Sequence, residues 1–526
     1  MATATHTLPP FNVKSSMTNV FSALMKAKRR YGKNREILVD GDERVLTYDA
    51  ITKAAFALGH ALKKGTKKGE SVGILLPTGA GAVIAFFAVH AYGRIPAMLN
   101  FTSGARSLQA ACRAGEIKRI ITAHKFVELG KLDGLIEEMK GSAEIVYLED
   151  VRENLGLLSK LHAAVGSIAP WLVQSHPKPD DTCVILFTSG TEGDPKGVVL
   201  SHQNIVANVE QVRSHIELTT DDIIFNPLPT FHCFGLTVGA LMPLYLGIKE
   251  VLHPSPLQPR EIAKRVRSSG ATILLATDTF INQYARAGDQ GDLNSLRLAV
   301  CGAERVRDET RQLMRRKYNM EILEGYGVTE TAPVIAANQI GGNRPGTVGR
   351  LLPGMESRLD PVEGVPNAGR LFVRGPNVMK GYIKPDAPMV VMPPTDGWHD
   401  TGDVVSIDDD GYIAIRGRLK RFAKIGGEMV SLAVVENCAS ALWPDNHHAA
   451  VAIADDRKGE QIVLVTDSPA ANRLDLVGWA QNHGVPELAV PRKIVLVDNV
   501  PVLGTGKTDY NRVQKMAEER AQSAAA

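Results

Sequence analysis

Apolar runs of strand length recur through the N-terminal part of the chain with helix-patterned segments between them, at residues 72–76, 95–99, 119–122, 144–148, 183–187, 272–276, 296–301 and 321–323. This alternation constrains the fold most. Strands that return to one sheet after a helical crossover run parallel, and parallel sheets need helices on both faces, so the pattern predicts layered α/β architecture. The run 95–99 contains Pro96, which removes a ladder donor and predicts an edge strand or a strand start. From about Gly341 the texture changes to short alternating strands punctuated by Gly and Pro, as expected of a β-rich subdomain. Beyond Arg418 a basic stretch, LKRFAKIGGE, leads into an α+β pattern with strands near 449–454, 462–466 and 493–497. At 526 residues the chain exceeds what one core fills. The expected division is a large N-terminal domain, 1–419, made of layered α/β subdomains plus a small β-rich one, and a small α+β C-terminal domain, 420–526.

Several classes are disfavoured at this stage. The five cysteines stand far apart without CxxC spacing, which argues against zinc and a disulfide framework and fits a cytoplasmic protein. The opening MATATHTLPPFNVKSSM has prolines where a signal peptide would carry its apolar core. Residues 71–93 form the longest uncharged stretch, but Pro77, His90 and several glycines interrupt it, so it reads as strand, turn and buried helix; no transmembrane segment is expected, and any membrane contact is peripheral. A formal net charge of +3 on this length does not point to nucleic acid.

The stretch LFTSGTEGDPKGV, residues 186–198, joins an apolar strand to a loop of small hydroxyl residues and glycines ending in a lysine. Such loops turn backbone N–H groups around an oxyanion while the lysine adds a mobile charge, so Thr188, Ser189, Gly190, Thr191, Gly193 and Lys196 are candidate phosphate ligands. Ser201 can cap a following helix whose Ile205, Val209, Val212 and Ile216 share one face, and a strand-to-helix loop is where phosphates commonly sit. The later GTGKT, residues 504–508, is not a Walker A loop, because Pro501 stands six before Lys507 where a glycine is required.

Six motifs in fixed order, TSGTEGDPKG (188–197), CGAE (301–304), EGYGVTE (324–330), WHDTGD (398–403), RGRLKRFAKIGGE (416–428) and GTGKTD (504–509), resemble the adenylate-forming superfamily of acyl-CoA synthetases, amino-acid adenylation domains and luciferases over nearly the whole chain. The resemblance implies a fold with a mobile C-terminal domain and a reaction that uses ATP and Mg2+. It implies that Gly302, Ala303, Glu304, Gly325, Tyr326 and Gly327 surround AMP, with the Tyr326 ring stacked on the adenine. Thr329 and Glu330 match positions that contact the α-phosphate and hold the metal, a hard cation suited to oxygen ligands. Asp403 and Arg418 match ribose ligands, Lys420 the hinge, and Gly426 and Gly427 a channel for a pantetheine thiol. Lys507 matches the lysine that bridges carboxylate and α-phosphate as charge accumulates there, which makes it, with Glu330 and Thr329, the catalytic expectation. Arg305 replaces the family's usual proline, and Glu192 its usual Thr or Ser.

Amino-acid-activating relatives carry an aspartate in the region that here reads TFHCFGL, residues 230–236, where no carboxylate stands. His232, Phe234 and Gly235 with the apolar run 236–246 therefore suggest a pocket for an uncharged acyl chain, each buried methylene contributing about 0.8 kcal/mol. Segments such as LPTFHCFGLTVG, GTVGRLLPGM and HGVPELAVPR resemble the acyl-acyl-carrier-protein synthetase branch, in which a fatty acid is passed to holo acyl carrier protein, with coenzyme A as the alternative acceptor. The bifunctional members of that branch also acylate lysophospholipid through a His-x4-Asp motif. The one match here, His176 to Asp181, lies in a proline-containing linker and is read as chance.

Overall fold

A computed structural model describes residues 8–188, 195–425, 428–455, 459–483, 485–502 and 508–523. The chain divides into two compact units. The first comprises Met1–Pro345, Gly349–Glu356 and Arg374–His399, the second Gly346–Val348, Ser357–Val373 and Asp400–Ala526. The anticipated cut between residues 419 and 420 falls inside the second unit, which takes in only part of the β-rich region, residues 357–373 and 400–418, while 374–399 go with the first unit.

The first unit is α/β with two large sheets. One has eight strands, in the order Ala387–Met392, Gly381–Lys384, Lys196–Ser201, Thr182–Thr188, Ile95–Met98, Ser71–Ile74, Arg119–Thr122 and Glu144–Tyr147. The other has nine and is parallel from Ile322–Gly327 across to Glu36–Val39, with antiparallel strands added at both ends. Parallel strands covered on both faces should be apolar throughout, and Cys183, Val184, Ile185 and Leu186 are all buried. The stretch 71–93 is strand and helix as expected, with helix Ala80–Ala91 buried on nearly every side, and no described helix is long and apolar enough to cross a membrane.

Two expectations need correction. The strand with Pro96 is not an edge, since it lies between Ser71–Ile74 and Thr182–Thr188; of the two readings the strand start is the one that fits, Pro96 being the second residue of Ile95–Met98. Its Ile95 and Leu99 N–H groups donate to Glu70 and Ile74 on one side, so position 96 points to the other, where pairing with Thr182–Thr188 begins only at Ala97. The missing donor therefore costs no ladder bond. The glycine-rich loop does not run from a strand into a helix: it joins two antiparallel strands, with Thr188 opposite Lys196. The helix His202–Arg213 starts one strand later, where Ser201 caps it in a capping box with Asn204; it buries Ile205, Val209 and Val212 but ends before Ile216, which is buried just beyond it.

The second unit holds a four-stranded sheet (Glu356–Pro361, Gly369–Arg374, His399–Ile407 and Ile413–Arg418) and a five-stranded one built on the hairpin His448–Asp455 and Gly459–Thr466. Its apolar residues fall into several small clusters. The first unit instead has an extensive core in which Phe21 and Phe56 meet edge to face at 5.1 Å.

Candidate active site

In the first unit, three of the motif segments converge at the ends of the sheets. Gly302 closes strand Leu298–Cys301, and a Cβ there would lie 3.2 Å from the Phe234 ring and 3.5 Å from the Gly325 carbonyl. Ala303 follows with φ of 69°, a left-handed turn, while Gly327 cannot carry a side chain, since a Cβ would meet the Pro333 carbonyl at 2.0 Å. Tyr326 is buried on strand Ile322–Gly327, flanked in sequence by Gly325 and Gly327. Glu304 reaches back to the start of helix Asp278–Ala287, where its carboxylate accepts from the Thr279 N–H (3.0 Å) and hydroxyl (2.9 Å). An anion is favoured at that helix end, so Glu304 braces the segment as well as bordering it.

Thr329 and Glu330 lie on the 3-10 turn Thr329–Thr331. The Glu330 carboxylate accepts a hydrogen bond from the Tyr382 hydroxyl (2.6 Å), and its backbone carbonyl accepts from the Met379 N–H (2.8 Å). Lys196, exposed at the foot of the glycine-rich hairpin, places its ammonium 5.5 Å from the centre of the Tyr382 ring. Tyr382 thus links two motifs well separated in sequence. Sequence reasoning missed it, the only signal being an aromatic between turn residues in KGYIK. Ser189, Gly190, Thr191 and Gly193, together with Glu192, lie outside the described residues.

The segment 230–246 forms a π-helix, Phe234–Leu241, continued by helix Met242–Leu246. A Cβ on Gly235 would fall 2.3 Å from the Pro229 carbonyl, and one on Gly239 would fall 2.2 Å from Asn226 Nδ2. The pair of glycines lets the helix lie directly on that loop, with Asn226 donating to the Gly235 carbonyl at 3.1 Å. π-helical turns gather at functional sites. Much of the apolar run is core: Leu236, Ala240, Leu241 and Leu244 belong to the main cluster. His232, Phe234 and Tyr245 are the partly exposed members, and His232 packs on Phe231 at 4.7 Å.

Electrostatics sort the remaining groups. Glu324 is buried and its carboxyl is pushed up by desolvation, opposed by Arg311, with which it pairs, and by the Val306 N–H at 2.6 Å. That makes it a structural link beneath the motif. Cys233 is pushed up to about 12, chiefly by burial, with Thr237 opposing and the nearby Glu330 charge adding, so it is no nucleophile at neutral pH. Among the described residues no group of three or more His, Cys, Asp or Glu could hold a metal by itself. A single carboxylate at Glu330 fits a magnesium ion that is held mostly by nucleotide phosphates and water.

In the second unit, Asp403 and Arg418 are direct partners across an antiparallel pair of strands, joined at 3.0 Å between Oδ1 and Nε. Lys420 lies in the 3-10 turn Leu419–Arg421. Its neighbour Arg421 pairs with Glu436 at 2.7 Å and stacks over Tyr510, 3.5 Å from the ring centre. Gly426, Gly427 and Lys507 lie outside the described residues, although the loop carrying Lys507 is flanked by the bridge Val502 to Thr508. The His176–Asp181 spacing gathers no site: Asp181 accepts from the Lys178 N–H at 2.7 Å and closes a turn.

Known proteins are similar to this chain over almost its full length. A 3-[(3aS,4S,7aS)-7a-methyl-1,5-dioxo-octahydro-1H-inden-4-yl]propanoyl:CoA ligase of Rhodococcus jostii (strain RHA1) is 28% identical, with 94% of this chain and 98% of the relative covered. A long-chain-fatty-acid--CoA ligase of Salmonella typhimurium is 26% identical, covering 88% of each. The ATP-bound structure of an RpMatB-BxBclM chimera superposes with a TM-score of 0.82 at 25% identity, covering 96% of this chain and 99% of the chimera. The glycine-rich hairpin, the EGYG strand and the Glu330 turn all fall within residues 24–383, the span matched as AMP-binding enzyme, and with that match covering more than half of its length the chain belongs to the AMP-binding enzyme family.

Proposed function

We propose that this protein is an AMP-forming acid–thiol ligase that activates an apolar, uncharged-chain carboxylic acid, with long-chain fatty acids the first class to test. The carboxylate attacks the α-phosphate of ATP, forming acyl-AMP and releasing pyrophosphate; a phosphopantetheine thiol then attacks the acyl carbonyl and AMP leaves. The observation that carries the reading is the meeting of the glycine-rich hairpin and the Glu330 turn through Tyr382. A lysine and a carboxylate gathered around one phenol suit a nucleotide's phosphates and their magnesium, which supports the reading. Thr329 and Glu330 contact the α-phosphate and its ion, Asp403 and Arg418 take the ribose hydroxyls, and Lys507 spans the two anions that approach in the first step. Magnesium when bound neutralises phosphate charge. Lys420 is the hinge and Gly426 and Gly427 the thiol channel.

The apolar acid is supported by the absence of any carboxylate from residues 230–246, and by the fatty-acid ligase among the relatives. Coenzyme A is the acceptor that the named relatives favour. Holo acyl carrier protein, expected from the sequence, stands as the second reading because of the segments that resemble the carrier-protein branch. AMP release with ATP, magnesium and a series of fatty acids tests both. Faster turnover with coenzyme A establishes the first reading and faster turnover with carrier protein the second, while pyrophosphate exchange absent with every acid refutes the ligase assignment.

A further inference from the structure

The helix Leu157–Ile168 is inside out. A helix packed on a globular unit normally buries its large apolar residues and exposes polar ones. Here the outward stripe is Leu157, Leu161, Ala164 and Ile168, with Leu157 85%, Leu161 57% and Ile168 81% exposed. Trp171 and Leu172 in the next turn extend it, at 63% and 68%. The inward face is small and polar. Gly166 sits where a Cβ would lie 2.5 Å from the Phe56 ring, Ser159 is hydrogen-bonded to His60 (2.9 Å), and His162 to Tyr92 (3.1 Å). Such an arrangement holds the helix firmly through polar contacts while presenting its apolar stripe to whatever lies outside.

Charge narrows what that is. A groove of about 290 Å³ joins this helix to helix Val20–Tyr31, lined by Met25, Arg29, Lys33, Ile168 and Trp171 among others. Residues 20–34 contain Lys26, Lys28, Arg29, Arg30 and Lys33 and no acid, and residues 154–175 contain no acid either. Lys26, Arg29, Arg30 and Lys33 are exposed, whereas Lys28 is buried against Asp49 at 2.8 Å. Asp49 is shared with Lys53 at 2.7 Å, and Asp150 and Glu153 stand on the preceding helix, Leu148–Glu153. A second copy of the chain, meeting this face by two-fold symmetry, would bring the same cations with it and supply no acid from these segments. An apolar wedge with a tryptophan, rimmed by uncompensated cations, matches the boundary of an anionic bilayer, where acyl chains take the wedge and phosphates the rim.

We propose that Leu157–Leu172 and the cationic end of helix Val20–Tyr31 together form a docking surface for anionic phospholipid membranes. The surface would hold the enzyme against the phase in which long apolar acids dissolve.

The test is sedimentation of the full chain with phosphatidylcholine vesicles, with and without phosphatidylglycerol, in the absence of ATP and acid. Wild type should bind the anionic vesicles and release as salt is raised. Two variants separate the contributions, Leu161→Ser with Trp171→Ala for the wedge and Arg29→Glu with Lys33→Glu for the rim. Each should lower the partition coefficient about tenfold or more. All these side chains are exposed, so thermal unfolding and turnover of a short, water-soluble acid should stay as in wild type. Wild type that ignores anionic vesicles, or variants that bind them equally, overturn the proposal. So does a dimer, seen by ultracentrifugation, that Leu161→Ser dissolves, since the stripe is then covered by a second copy. Because vesicle binding is read without catalysis, its failure leaves the ligase assignment untouched, and a failed ligase assay leaves this surface untouched.

Discussion

The two carboxylates assigned to the nucleotide are held in opposite ways. Glu330, in the first unit, accepts from a phenol hydroxyl on Tyr382 at 2.6 Å. Asp403, in the second, is buried and faces a guanidinium, Arg418, at 3.0 Å. A neutral donor orients a carboxylate without cancelling its charge, whereas a guanidinium compensates the charge and leaves lone pairs for other donors. The first arrangement suits a cation and the second suits neutral hydroxyls. The partner, more than the acid, therefore decides what each carboxylate can bind.

Lys507→Ala puts the division between units under the greatest strain. Acyl-adenylate formation should fall roughly 10²- to 10³-fold, as for other groups that stabilise charge developing in a transition state. Thioester formation from supplied acyl-adenylate should stay close to wild type. Pyrophosphate exchange and single-turnover transfer report the two steps, and equal losses would refute the assignment. Glu330→Gln keeps the Tyr382 contact and removes the charge, so adenylation should fall about 10²-fold with a raised magnesium requirement. A loss with unchanged magnesium dependence would mean that Glu330 does not face the ion. Asp403→Asn should be milder, about tenfold in the KM for ATP with kcat little changed, and 2′-deoxy-ATP should be penalised less in the variant than in wild type.

The first unit should also respond to acid. His202 is buried and uncharged, its pKa lowered to about 4, by desolvation with Asp181 opposing. The unfolded chain takes up a proton near the ordinary value of 6.5 that the folded unit refuses until much lower pH. The contribution is therefore present above about pH 6.5 and is lost as pH falls toward 4. From pH 7.5 to pH 5 this one group should destabilise the first unit by about 2 kcal/mol, readable in thermal unfolding. A His202→Gln variant should flatten that slope.

Much of this architecture was readable because it rests on local regularities. Strand-length apolar runs became the parallel cores of two sheets, Ser201 capped the helix anticipated after it, and residues 71–93 formed a strand and a buried helix. What escaped depends on contacts between distant segments. The glycine-rich loop reads alike whether a helix or a second strand follows, and only the pairing of Thr182–Thr188 with Lys196–Ser201 decides it. Pro96 is harmless inside a sheet because of where one neighbour's pairing begins. Residues 236–246 carry the composition of a pocket and of a core equally well, and most joined the core. The stripe at 157–168 gives no local warning, since apolar periodicity marks a face without saying which way it points. Tyr382 acquires meaning only from the two motifs it touches.

Tyr382→Phe is the smallest and most discriminating change. It removes one hydroxyl and keeps the ring that Lys196 overlies, so the cation–π contact survives while Glu330 loses its orienting donor. A hydrogen bond to a charged group is worth about 1.5–3 kcal/mol at full strength, but bound magnesium would itself orient Glu330. The expected loss is therefore only a few-fold at saturating magnesium, growing to about tenfold or more when magnesium is limiting. Tyr382→Leu, which also removes the ring, should add a rise in the KM for ATP through Lys196. If Phe and Leu behave alike at every magnesium concentration, the ring does nothing for Lys196. If Phe equals wild type when magnesium is scarce, the hydroxyl does not orient Glu330, and the contrast with the guanidinium-held Asp403 fails with it.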